Sequence, residues 1–116
     1  MHVVFLESSK RVSTRYTRQG VDVTEYPETT FLQLADRCRH ADVIVTTAIP
    51  LRREILDYVT RPKHIIAPQH SVERLVERAI AAQLEIQIHT VDADPLDWSA
   101  FREAVLALVS GSSVKE

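Results

Sequence analysis

Apolar and polar positions alternate along the chain between two spacings, one typical of strands and one typical of helices. Short apolar segments are followed by stretches in which apolar residues recur every three or four positions. Five such strand–helix units fit in the 116 residues, and their predicted strands are Val3–Leu6, Val21–Tyr26, Asp42–Thr46, His64–Ala67 and Glu85–Val91. The pattern therefore predicts an α/β protein with helices between its strands.

Three predicted strands are apolar throughout, and two alternate between apolar and polar residues. The continuous segments Val3–Leu6, Val43–Val45 and Ile65–Ala67 are typical of strands covered on both faces. The alternating segments Val21–Thr24 and Glu85–His89 are typical of edge strands. Edges at the second and fifth strands agree with the order 2-1-3-4-5. We therefore expect a flavodoxin-like three-layer α/β/α sandwich around a five-stranded parallel sheet.

Capping signals and apolar stripes locate the helices. Thr30 and Gln33 form a capping box, so the second helix is expected to begin near Phe31. Pro50 suits the first turn of the third helix because its missing amide hydrogen has no helical partner there. Asp97 is placed to cap the fifth helix. The predicted apolar stripes are Phe31, Leu34, Ala35 and Cys38; Leu51, Ile55 and Tyr58 or Val59; Val72, Leu75, Val76, Ala79 and Ile80; and Trp98, Phe101, Val105 and Leu108.

A basic segment without acidic residues follows the first strand. Its cations are Lys10, Arg11, Arg15 and Arg18. We interpret it as the solvated face of a first helix with Val12 and Tyr16 turned inward, and binding of an anionic partner is the alternative.

The composition is that of a globular domain, with 45% hydrophobic and 26% charged residues. We predict one domain over residues 1–110 and a loose tail over 111–116. The net charge of −2 creates no general field that attracts nucleic acid, and no stretch is long enough to span a membrane. The first residues enter a strand without an export signal, so we expect a cytoplasmic protein. The single cysteine, Cys38, is expected to be a buried, inert thiol.

A candidate site follows from the predicted topology. Ligands of open α/β sheets bind beyond the carboxyl ends of the strands, where the winding reverses between strands one and three. Backbone amides after strand four are placed to bind an anion such as a carboxylate. The candidate residues are Glu7, Ser8, Thr46, Thr47, Ala48, Gln69, His70 and Ser71. The alternative is that these residues only form turns and caps. If His70 acts as a general base, it needs an orienting partner, for which Glu73 is the candidate.

No cofactor or metal site is predicted. Gly20 and Gly111 are the only glycines, so a GxGxxG turn for a dinucleotide is absent. A phosphoacceptor receiver domain needs an aspartate where Thr46 and Thr47 stand, and a flavin site needs a glycine-containing loop after strand one. The five histidines give no metal-ligand pattern, with His64 expected at a strand start and His89 near the opposite end of its own strand.

Four segments together resemble a known family. They are Val3–Leu6, Glu25–Thr30, Ala41–Leu51 and Lys63–Ala67. From Met1 to about Val91 the chain resembles the substrate-binding domain of the D-isomer-specific 2-hydroxyacid dehydrogenases, especially the glycerate dehydrogenase branch. The resemblance implies a flavodoxin-like fold and a carboxylate ligand near the loop after strand four.

The chain departs from that family at the ligand loop. Ser71 stands at the position of a loop glycine, Glu73 and Arg74 at those of an Asp-Asn pair, and Leu84 where a helix-ending glycine is common. The family's nicotinamide site and its catalytic arginine, glutamate and histidine belong to a second domain, and none of them is matched here. We therefore expect a stand-alone relative without catalysis of its own. It is expected to bind a small carboxylate or a protein partner, including a second copy of itself.

Two alternatives remain. One is a component of a D-2-hydroxyacid oxidoreductase that acts only with a separately encoded NAD-binding domain. The other is a structural or dimerising module.

Overall fold

The computed structural model describes residues 2–7, 14–18, 20–47, 49–52, 55–56, 63–93 and 98–114. These residues form ten helices and strands. The strands are β1 His2–Phe5, β2 Thr14–Arg18, β3 Val21–Glu25, β4 Val43–Val45, β5 His64–Pro68 and β6 Gln87–Val91. The helices are α1 Phe31–Cys38, α2 Val72–Leu75, α3 Arg78–Gln83 and α4 Trp98–Val114.

The six strands form one mostly parallel sheet in the order β2-β3-β1-β4-β5-β6. All neighbouring pairs are parallel except β2 and β3. The protein is therefore of the α/β class, as predicted. The expectation of a five-stranded, wholly parallel sheet is wrong because β2 adds a sixth, antiparallel strand. β6 lies at one edge, but β3, which was expected at the other, is covered by β2.

The extra strand, Thr14–Arg18, lies in the segment that was predicted to form the first helix. Arg15 and Tyr16 lie in β2, which pairs with β3 from Thr14 opposite Glu25 to Arg18 opposite Val21. β-Branched and aromatic residues favour an extended chain, and Gly20 adopts the positive φ of 80° in the turn between the two strands. Tyr16 does turn inward. The other members of the basic segment, Lys10 and Arg11, and its inward-facing Val12 lie outside the described residues.

Helices cover both faces of the sheet. On one face α4 packs on the odd-numbered positions of β1, β3 and β4; this cluster comprises Val3, Phe5, Val21, Val23, Val43, Val45, Ile66, Trp98, Phe101 and Val105. The second cluster joins the other face to α1, α2 and α3; it includes Val4, Leu6, Leu34, Cys38, Ile44, Leu51, Ile55, Leu56, Ile65, Val72, Leu75 and Ala81. The continuous apolar strands are thus buried on both sides, as their sequences predicted.

The outer helices agree with their sequence signals. α1 begins at Phe31, and the backbone amide of Thr30 donates to Oε1 of Gln33 at 3.0 Å, the contact that a capping box requires. In α4, Trp98, Phe101 and Val105 are buried. Asp97 lies outside the described residues. α4 continues to Val114 and so includes residues 111–114, which the sequence analysis placed in the tail.

The two central helices differ from prediction. Leu51 forms an isolated parallel bridge with Val76, so the chain is extended at both positions. Pro50 consequently lies before, not within, the helical turn in which the amides of Ile55 and Leu56 donate to the carbonyl of Arg52. The same bridge divides the expected fourth helix into α2 and α3.

This break also shifts the buried stripe. Ala79 is exposed and Ala81 is buried, the reverse of what an unbroken helix requires. Tyr58 and Val59 lie outside the described residues. None of the helices in the described part of the chain is long and apolar enough to cross a membrane.

Candidate functional site

The predicted site residues follow strands that end side by side. The amide of Leu6 donates to the carbonyl of Val45 at 3.1 Å, and that of Thr46 donates to the carbonyl of Ile66 at 3.0 Å. The loops after β1, β4 and β5 therefore start along one edge of the sheet. Six candidates lie there: Glu7, Thr46, Thr47, Gln69, His70 and Ser71. Ser8 and Ala48 lie outside the described residues.

The loop after β4 is closed by Thr46. This side chain is fully buried. Its hydroxyl donates to the carbonyl of Ile49 at 2.7 Å and accepts from the amide of the same residue at 3.2 Å. Thr47 is also buried. The Thr46 hydroxyl is thus engaged in shaping the turn, and a role for either threonine in ligand binding stays a prediction.

Glu7 directly follows β1 and lies near a second carboxyl group, that of Glu28. Partial burial, followed by repulsion from Glu28, raises the pKa of Glu7. The segment carrying Glu28 is held against β1, because Oγ1 of Thr29 donates to the carbonyl of Leu6 at 2.6 Å. Nη1 of Arg37 in turn donates to the carbonyl of Glu28 at 2.6 Å and to Oγ1 of Thr29 at 2.8 Å. The carboxyl groups of Glu7 and Glu28 thus lie near the end of β1, with the guanidinium of Arg37 beside them.

Two amides of the loop after β5 form hydrogen bonds within the fold. The amide of Gln69 donates to the carbonyl of Val91 at 2.9 Å, and that of Ser71 donates to the carbonyl of Pro68 at 3.1 Å. Ser71 is buried, whereas Gln69 and His70 are exposed. α2, which follows, has only four residues. An anion site at this loop accordingly depends on side chains more than on backbone amides.

A groove lies between the loop after β4 and the helix after β5. It encloses about 210 Å³ and is lined by Pro50, Leu51, Arg52, Glu73, Arg74, Leu75, Val76 and Glu77. The bridge between Leu51 and Val76 joins its two sides, and the amide of Leu51 donates to the carbonyl of Leu75 at 2.7 Å. Sequence reasoning missed this groove because the bridge connects residues that are distant along the chain.

Two arginines line this groove. Glu73 is engaged outside it, because its Oε1 accepts from Nε of Arg78 at 2.7 Å. Arg52 and Arg74 are exposed, and neither has a carboxylate partner among the described residues. The expected pairing of Glu73 with His70 is not seen in the described part of the chain, where the partner of Glu73 is Arg78. The groove therefore contains two arginines that have no described carboxylate partner, beside the carboxylates of Glu73 and Glu77 in the same lining.

A buried polar cluster lies at the end of β3, on the face covered by α4. The carboxylate of Glu25 is fully buried, and it accepts hydrogen bonds from the hydroxyl of Tyr16 and from Nε and Nη2 of Arg102. Burial, with the hydrogen bond to Glu25 as second cause, raises the pKa of Tyr16 to about 12. Hydrogen bonding to Glu25 raises the pKa of Arg102. This cluster joins the β2–β3 hairpin to α4.

Two other predicted groups have defined surroundings. Cys38 is fully buried, and desolvation raises the pKa of its thiol to about 12, as expected for an inert cysteine. His64 and His89, expected at opposite strand ends, lie in contact. Within the described ranges, no three histidine, cysteine, aspartate or glutamate side chains are grouped as metal ligands.

Two comparisons with known proteins gave no match. No family model matches the chain, and no curated protein matches it significantly.

Proposed function

We propose that the protein binds a small carboxylate in the groove between Pro50–Arg52 and α2, without catalysing a reaction by itself. The observation that carries this proposal is the pair of groove arginines, Arg52 and Arg74, which lack a carboxylate partner in the described part of the chain. A guanidinium group presents parallel N–H donors that match the two oxygens of a carboxylate. The groove follows β4 and β5 on the edge of the sheet where their carboxyl ends lie, one strand away from the reversal of winding between β1 and β4.

Kinship with the substrate domain of D-2-hydroxyacid dehydrogenases is part of this proposal. Its support is the resemblance of the four sequence segments and the parallel order β3-β1-β4-β5-β6. In that interpretation the sheet is flavodoxin-like with the order 2-1-3-4-5, and β2 is an addition outside its second strand. Arg74 then stands at a ligand-loop position of the family, where it supplies a charge in place of an amide side chain.

Thermal unfolding with a panel of small carboxylates tests the groove. Lactate, glycerate, pyruvate and acetate are suitable probes, because a ligand that binds only the folded chain raises the melting temperature. We expect stabilisation of the wild type by at least one of them, and loss of that shift in Arg52→Gln and Arg74→Gln. Arg15→Gln, which removes an exposed charge on β2, is the matched control and should keep the shift.

The same assay separates the groove from the loop. The double variant His70→Ala/Ser71→Ala should respond to the carboxylate like the wild type if the groove arginines bind it. An equal shift in the wild type and in both groove variants would refute the proposal. Turnover of 2-hydroxy or 2-keto acids by the chain with NAD(H) would contradict the absence of catalysis. Turnover only after a separate NAD-binding protein is added would favour the oxidoreductase component.

A further inference from the structure

His64 and His89 form a pair on the two last strands of the sheet. The register places His64 opposite Gln87, so His89 is its diagonal neighbour on the same face. Nδ1 of His64 lies 2.9 Å from Nε2 of His89, and the ring centroids are 5.0 Å apart. Both side chains are half-buried, so solvent reaches them. The strand ladder, rather than a flexible loop, sets their separation.

The surroundings of the pair favour neutral imidazoles. Burial lowers the pKa of both histidines. For His64, the charges of His89 and Lys63 lower the pKa further, whereas Asp42 opposes them. At neutral pH each ring therefore has a lone pair available, which is the form in which histidine binds metal ions.

The distance between the two nitrogens suits a shared metal ion. Two nitrogens that are each about 2.0–2.1 Å from one tetrahedral Zn²⁺ lie roughly 3.3 Å apart, so the observed pair has to separate by only a few tenths of an ångström. In the neutral pair one facing nitrogen donates a proton to the other. When the donating imidazole changes tautomer, its proton moves to the ring nitrogen that faces away from the pair. Both facing nitrogens are then acceptors, and the pair has lost no proton.

We propose that His64 and His89 form a two-imidazole binding site for a borderline transition-metal ion such as Zn²⁺. Imidazole nitrogens are preferred ligands of such ions. No third histidine, cysteine, aspartate or glutamate joins the pair among the described residues, so water or a small ligand completes the coordination. His64 is the first residue of β5, at the amino end of that strand. The carboxylate groove lies beyond the carboxyl end of the same strand. This inference is therefore independent of the proposed function.

Calorimetric titration of the untagged chain with ZnCl₂ at pH 7.5 tests the site. We expect one ion per chain in the wild type, and loss of this binding in His64→Gln and in His89→Gln. The matched controls are His70→Gln, in an exposed loop, and His2→Gln, at the start of β1. Both controls should bind Zn²⁺ like the wild type.

Nuclear magnetic resonance of the wild-type imidazole nitrogens gives a readout that does not depend on the variants folding. Zn²⁺ should shift the resonances of Nδ1 of His64 and Nε2 of His89 together, at one equivalent of metal. Absence of binding at pH 7.5 would overturn the proposal. So would binding retained in both site variants, loss of binding in a control, or ring shifts confined to other histidines.

Discussion

Arg102 of α4 binds the buried carboxylate of Glu25 through two hydrogen bonds, 2.7 Å from Nη2 to Oε1 and 3.2 Å from Nε to Oε2. The side chain of Glu25 is only 1% exposed, and that of Arg102 is 25% exposed. Because bidentate geometry and low solvent access coincide, this ion pair differs in kind from the exposed pair of Arg78 and Glu73.

Removal of Arg102 should destabilise the protein strongly. Arg102→Met removes a bidentate cation from the buried carboxylate of Glu25, and breaking a buried ion pair typically costs about 3–5 kcal/mol of unfolding free energy. Arg78→Met, the matched control at the exposed pair, should cost less than about 1 kcal/mol. Urea unfolding measures both values. Equal losses in the two variants would show that the Glu25 pair behaves as a surface ion pair.

Tyr16 should stabilise the protein up to alkaline pH and then cease to do so. Because the pKa of Tyr16 is raised from 10.0 to about 12, its contribution is complete below pH 10 and is lost as the pH rises towards 12. Tyr16→Phe, which also removes the hydrogen bond to Glu25, should therefore be less stable than the wild type at pH 8, by about 1 kcal/mol. The difference should shrink between pH 10 and 12. A constant difference over that range would contradict the raised pKa.

The His64–His89 pair should destabilise the protein in acid. Both pKa values are lowered from 6.5, so the stability due to the neutral rings is present above pH 6.5 and is lost as the pH falls through the lowered values. Metal-free wild type should lose more unfolding free energy between pH 7.5 and pH 5 than the His64→Gln/His89→Gln double variant. His70→Gln serves as the control and should follow the wild type. Parallel pH profiles for the wild type and the double variant would refute this prediction.

Cys38 should react with thiol reagents only when the protein opens. The side chain is fully buried, and the pKa of its thiol is raised to about 12, so little thiolate exists at pH 8. Reaction with a disulfide reagent should be slow in the native protein and rapid in urea. A rapid, stoichiometric reaction of the native chain at pH 8 would contradict the burial of this residue.

Gly20 should be needed for the β2–β3 hairpin. A Cβ at this position would contact nothing within 4 Å, so the cost of Gly20→Ala comes from the positive φ and should be about 1–2 kcal/mol. Gly20→Asn should cost less, because asparagine tolerates the left-handed region. Thermal unfolding distinguishes the two variants. If alanine and asparagine were equally tolerated, the conformation of this turn would not limit stability.

Features that depend on neighbouring residues were predictable from the sequence. The capping box at Thr30 and Gln33 determines where α1 begins, and the spacing of Trp98, Phe101 and Val105 determines the buried face of α4. Continuous apolar segments identified the strands covered on both faces. In each case the decisive interactions join residues a few positions apart, or depend on how much apolar surface a whole segment buries.

Features that depend on distant residues were not predictable in the same way. The bridge between Leu51 and Val76 overrode the helical spacing around both residues. At the candidate site, the sequence indicated which strand-end loops meet, but not that a groove would open beside Arg52 and Arg74.

The composition and local spacing of this chain are sufficient for its α/β class, its buried strands and its outer helices, because each of these minimises exposed apolar surface over a short segment. Strand pairing across the sheet and the packing of α4 on it decided the rest. Glu25 and Arg102 are 77 positions apart, and His64 and His89 are 25 apart. Contacts over such separations form only when the strands have taken their order and register, because the order and register determine which side chains are buried next to one another.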